Sequence, residues 1–148
     1  MRPSELDRTG IVLGVVGYSG TPLNQKLGIK AEARVALLGA PEGFPDELAP
    51  LPPGVRIVRR LPPQVDVAVL FVTERRELER RFPAVATAVR PAGAFWVAWP
   101  KRSSKVPTDL TEDVLREVGL PQGLVDNKVC AVTDVWSGLR FVWRKENR

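Results

Sequence analysis

Two runs decide the fold of this chain: Val65-Asp66-Val67-Ala68-Val69-Leu70-Phe71-Val72 and Ala94-Phe95-Trp96-Val97-Ala98-Trp99-Pro100. Each is almost continuously apolar, as strands are when both faces of their sheet are covered. Between them Leu78, Phe82, Val85, Ala86 and Val89 recur at helical spacing and form one apolar stripe. Strand, amphipathic helix and strand predict a β-α-β unit in a parallel sheet. Thr73 is placed to cap that helix, Glu74 and Glu77 suit its positive end, and Arg90 suits its negative end. Pro83 is expected to kink the helix or split it near Phe82, and Pro91 and Gly93 to close it.

Toward the N-terminus, Thr21 is expected to cap a short helix with Pro22 in its first position and Gly28 at its end. Arg34 to Leu38 reads as a buried strand, Gly39 to Phe44 as the loop leaving it, and Pro45 to Ala49 as a short helix. Val55-Arg56-Ile57-Val58-Arg59 alternates apolar and basic residues, as an edge strand does. Toward the C-terminus, Pro100 to Pro107 is a loop, and Asp109 with Glu112 resembles a capping box for a helix through Val118. Gly119 and Pro121 end that helix. Lys128 to Thr133 and Leu139 to Trp143 read as a hairpin across Asp134-Val135-Trp136-Ser137-Gly138. The expected architecture is a three-layer, Rossmann-like α/β sheet, its first four strands parallel and its last two an antiparallel hairpin. Residues 1–20 are read as an N-terminal extension and 21–148 as one α/β domain, a size at which folding buries roughly 70% of the unfolded surface.

Composition excludes several functions. Without histidine the chain lacks the commonest general base and every imidazole metal ligand. Its one cysteine, Cys130, permits no disulfide within the chain and no thiolate zinc cluster, and its strand-like setting reads as a buried structural thiol. No metal site is expected. No apolar run reaches the roughly 18 residues that span a bilayer, so a cytoplasmic location without membrane contact is expected. The net charge of +5 is dispersed in pairs such as Arg59-Arg60, Arg75-Arg76 and Arg80-Arg81, without interleaved aromatics. Nucleic acid is therefore disfavoured as a partner.

Strands alternating with helices and then a terminal hairpin resemble, over Arg34 to Trp143, a shortened Rossmann-like methyltransferase domain. Particular stretches also resemble a family of small, mostly actinobacterial proteins known as a domain of unknown function. They are Gly17-Tyr18-Ser19-Gly20-Thr21-Pro22-Leu23, Leu37-Leu38-Gly39-Ala40-Pro41, Trp99-Pro100-Lys101, Thr108-Asp109-Leu110-Thr111, Gly123 to Cys130 and Trp136-Ser137-Gly138-Leu139. The first resemblance implies a site for S-adenosylmethionine. The second implies no activity.

Such a site needs a glycine-rich turn after the first strand and an acid after the second. The turn here is Gly39-Ala40-Pro41-Glu42-Gly43, in which Pro41 lacks a backbone donor, and the second strand ends in Arg59-Arg60. Gly39, Glu42, Gly43 and Thr73 are the candidate cofactor residues. Ligands of open α/β sheets bind beyond the carboxyl ends of the strands, so Lys101, Arg102, Ser104, Lys105 and Trp136 are candidates for holding an anionic group. Gly14, Gly17 and Gly20 precede a helix but no Gly-Lys-Ser/Thr follows them, which leaves no phosphate loop. No acid–base pair is evident. The leading expectation is a non-catalytic binding or regulatory module on a degenerate methyltransferase-like scaffold, taking an anionic small molecule or a protein partner. The alternatives are an S-adenosylmethionine-dependent methyltransferase with an atypical loop, and a structural subunit of a homo-oligomer or mixed complex.

Overall fold

The computed structural model describes residues 20–148. Among these residues six strands form one sheet: β1 (Arg34–Leu38), β2 (Arg56–Val58), β3 (Val67–Phe71), β4 (Ala94–Pro100), β5 (Leu124–Ala131) and β6 (Trp136–Trp143). Their spatial order is β2-β1-β3-β4-β6-β5. The first four are parallel, whereas β6 lies antiparallel to both β4 and β5. The mixed α/β, Rossmann-like sheet with its antiparallel C-terminal pair is thus the architecture expected. Among the described residues four α-helices accompany it: α1 (Leu23–Lys26), α2 (Phe44–Glu47), α3 (Arg75–Ala88) and α4 (Glu112–Gly119).

The sheet is covered on both faces because alternate residues of each strand point to opposite sides. Ala36, Leu38, Ala68, Leu70, Phe95 and Val97 pack with Leu78, Phe82 and Val85 of α3 and with Leu115 of α4. Val35, Leu37, Val67, Val69, Phe71 and Trp96 pack with Leu27, Phe44 and Leu48 around the two short helices. Buried tryptophans need a partner for the indole N–H. Trp96 Nε1 donates to the Leu27 carbonyl at 3.0 Å, and Trp143 Nε1 donates to the Ala86 carbonyl at 2.8 Å. Asn24, a buried polar residue, donates to the carbonyls of Leu48 and Pro50 at 2.8 and 2.9 Å and so ties α1 to the segment after α2.

Several local expectations are corrected. Helix α3 runs unbroken through Pro83. Pro83 and Glu79, whose carbonyl that ring leaves without a donor, are both exposed, so water can take the bond. Pro22, not Thr21, occupies the N-cap position of α1. The cap of α4 is Thr111, whose Oγ1 accepts from Val114 N at 3.2 Å, in place of Asp109. Strands β5 and β6 begin earlier than the hairpin reading allows, at Leu124 and Trp136, which leaves only 132–135 as the turn. Asp126 and Asn127, polar enough to suggest a turn, sit within edge strand β5 and accept from Arg116 and Arg140 at 3.1 and 2.8 Å. Gly138 belongs to β6, where an added Cβ would stand 3.1 Å from the Trp96 ring. Cys130 is half-buried, less enclosed than expected. The extension and the Gly14-x-x-Gly17 stretch lie outside the described residues, and Gly20 alone of that motif is described.

Candidate functional site

Strand order reverses between β1 and β3, since the chain leaves β1 toward β2 on one side and returns to β3 on the other. Reversals of this kind open a crevice at the carboxyl ends of the strands. Gly39 follows β1 there with a φ of +70°, and its Cβ position lies 3.1 Å from the Phe71 carbonyl oxygen of β3. Only glycine both adopts that conformation at little cost and lets the two strand ends approach so closely. Gly43 also has positive φ, +82°, and opens α2, with no atom within 4 Å of the position a Cβ would take. Glu42, exposed, lies between the two glycines.

Aromatic rings pack together beside this turn. Phe44 meets Phe71 edge-on with centroids 4.9 Å apart, and Phe71 meets Trp136 edge-on at 5.2 Å. Phe44 and Phe71 are buried, and Trp136 is half-buried against them. Trp136 is therefore a packing residue at the start of a strand, paired with Pro100, rather than a free ring in a turn.

Thr73 does not cap α3. Its carbonyl accepts from Thr108 Oγ1 at 2.6 Å, and the first amide of the helix, Arg75 N, donates to Asp109 Oδ1 at 2.7 Å. The segment after β4 thus closes over the end of β3, and Asp109 supplies the cap. A cavity of about 390 Å³ lies here, lined by Thr73, Glu74, Arg76, Pro107, Thr108 and Asp109. Its lining includes none of Gly39, Glu42, Gly43, Trp136 or the basic loop. Arg75 fixes the same corner by bonding Glu79 at 2.9 Å and Glu117 of α4 at 2.7 Å, contacts that hold its guanidinium above its ordinary value.

The basic loop stands beside Trp136. Lys101 N donates to the Val135 carbonyl at 2.7 Å, residues Arg102–Ser104 form a 3₁₀ turn, and Lys105 leaves it with a φ of +61°. Ser104 Oγ donates to the Lys101 carbonyl at 2.6 Å and accepts from Val106 N at 3.3 Å, so its hydroxyl serves the turn itself. Lys101, Arg102 and Lys105 make no ion pair among the described residues. The structure therefore gathers Gly39, Phe71, Trp136 and Lys101 at one end of the sheet but leaves Thr73 in a separate hollow. Among the described residues no group of His, Cys, Asp or Glu is placed to hold a metal ion, and no helix is long and apolar enough to cross a membrane.

Solved structures share this fold. The chain is similar to the fibrillarin pre-rRNA processing protein of Methanococcus jannaschii, with a TM-score of 0.53 and 14% identity over 78% of this chain and 68% of that one. A SAM-dependent methyltransferase of Aquifex aeolicus matches with a TM-score of 0.53 and 12% identity over 79% and 85% of the respective chains. A putative type 11 methyltransferase of Sulfolobus solfataricus matches with a TM-score of 0.53 and 12% identity over 83% and 90%. The fold is the methyltransferase form of the Rossmann-like sheet. No family model and no curated protein matches the sequence, so the likeness to the actinobacterial family remains a resemblance of short stretches.

Proposed function

We propose that this methyltransferase-fold chain binds S-adenosylmethionine at the carboxyl ends of β1 and β3 and serves as a methyltransferase with an atypical loop. The observation that carries the reading is the turn Gly39 to Gly43 at the point where strand order reverses, in a fold shared with proteins described as SAM-dependent methyltransferases. The turn fits the cofactor in its backbone. Both glycines have positive φ, and the open space over Gly43 is where a ligand can approach the main chain. The residues that would hold the group are Gly39 and Gly43 through their backbone and Glu42 through its carboxylate. Glu42 takes the place of the missing acid, because Arg59 and Arg60 follow β2. When bound, the cofactor supplies an electrophilic methyl group. Its transfer depends mainly on positioning an acceptor, a demand compatible with a chain that lacks histidine.

A second reading, the non-catalytic binding or regulatory module, is favoured by the row Phe44, Phe71 and Trp136, whose rings pack on one another at this end of the sheet. Calorimetry separates the two. The parent and Gly39→Val, each shown folded by circular dichroism, are titrated with S-adenosylmethionine and with its demethylated product. Micromolar binding by the parent and its loss in the variant supports the methyltransferase reading. Silence toward both compounds leaves the module. A role as a structural subunit would be supported by co-purification of a stoichiometric partner.

A further inference from the structure

A concavity of about 800 Å³ lies at the opposite, amino ends of β1, β3 and β4. Five cations line it, Lys30, Arg34, Arg56, Arg90 and Arg140, against two carboxylates, Glu32 and Asp66. Asp66 is already engaged, since its Oδ2 accepts from the Arg34 backbone N–H at 2.8 Å. Two of the cations are held in place by protein groups. The Arg90 guanidinium stacks 4.4 Å from the Trp143 ring and donates to the Asn147 carbonyl, and Arg140 Nε donates to Asn127 Oδ1 at 2.8 Å.

Arg34 and Arg56 are different. They stand side by side as register partners on parallel strands β1 and β2, and neither guanidinium has an ion pair or hydrogen bond among the described residues. Like charges directly opposite on neighbouring strands are unfavourable unless an anion lies between them. The cavity is of small-ligand size. The nearby aromatic rings, Trp96 and Trp143, are buried, so no exposed ring stands ready to stack on a base. Guanidinium forks match phosphate oxygens in pairs.

We propose that this amino-end groove binds a small molecule carrying two or three linked phosphoryl groups, bridged by Arg34 and Arg56 and flanked by Lys30, Arg90 and Arg140. The site is independent of the carboxyl-end reading.

The test is calorimetry with inorganic tripolyphosphate at low ionic strength, with inorganic phosphate as comparator. Saturable binding of one tripolyphosphate per chain is expected, tighter than that of phosphate. The double variant Arg34→Gln, Arg56→Gln should weaken it by about tenfold or more. The double variant Lys101→Ala, Lys105→Ala, which removes the same charge from the other end of the sheet, should leave it within about twofold. Should the first double variant misfold, Arg56→Gln alone, on an exposed edge position, should still weaken binding measurably. Absence of saturable binding overturns the proposal. So does equal weakening by both double variants, which would mean that net charge alone is being read. Tighter binding of a short single-stranded RNA than of tripolyphosphate, competing for the same arginines, overturns it in favour of a nucleic-acid surface.

Discussion

Phe82 shows how far one residue can be read. Its place in a helical apolar stripe identifies it as core, and it is fully buried, 4.7 Å from the Phe95 ring and 5.3 Å from that of Phe141. Phe82→Ala should cost about 3–5 kcal/mol in chemical denaturation, the range for a large cavity that cannot collapse. Gly119 could not be read in the same way. Before Pro121 it looks like a helix terminator, yet its Cβ position falls 2.5 Å from Phe141 and 2.9 Å from Phe82, and its φ of −87° is ordinary. The ring cluster, not the turn, demands glycine there. Gly119→Ala should therefore destabilise by about 1–3 kcal/mol, although alanine is the better helix former. Cys130 is half-buried, and desolvation raises its thiol pKa against the opposing pull of Lys26, Lys128 and Arg140. The fold thus favours the neutral thiol. Its contribution to stability is complete below the ordinary thiol pKa and is lost as pH rises through the raised value. Slow alkylation by iodoacetamide at neutral pH, and a flatter alkaline stability profile in Cys130→Ala, are the expected results.

At the scale of elements, β3, α3 and β4 were legible because each carries a pattern set by burial over many residues. Edges and caps were not. Strand β5 begins with a stretch that includes Asp126 and Asn127, whose partners, Arg116 and Arg140, come from α4 and β6. Sequence spacing assigns Asp109 to the nearest helix, α4, whereas the folded chain presents it to Arg75 at the start of α3. A cap supplied from 34 residues away has no local signature. The consequence is measurable. Asp109→Ala should destabilise by about 0.5–2 kcal/mol, and Asp109→Asn, which keeps an acceptor oxygen, should recover most of that. Because Thr108 bonds to Thr73 in the same corner, hydrogen exchange at the first turn of α3 should accelerate in Asp109→Ala and not in Thr111→Ala, which uncaps α4. Equal exchange in the two variants would show that Asp109 does not cap α3.

Across the whole molecule, the parallel sheet separates two ends of different chemistry. The carboxyl end, where sequence reasoning places the site, holds glycine turns and packed aromatics. The amino end, which no motif marks, brings Arg34 and Arg56 together through strand register. Arg34 and Leu38 bound β1 and are separated by four residue steps, or about 13 Å at the usual rise per residue. Sites that far apart with no shared partner contribute to stability additively. A ligand that binds only the folded state stabilises it by about 2.7 kcal/mol at a hundredfold excess over its Kd, equivalent to a rise in melting temperature of about 5–10 °C for a chain of this size. S-adenosylmethionine and tripolyphosphate should therefore give separate, summing shifts in a thermal melt. Gly39→Val should abolish the first and keep the second, and Arg34→Gln with Arg56→Gln should do the reverse. A variant that abolished both shifts while remaining folded would show that the two ends are coupled through the sheet, and additivity would fail. Loss of one shift in the parent itself removes the site at that end and leaves the other standing, because the two proposed sites share no residue.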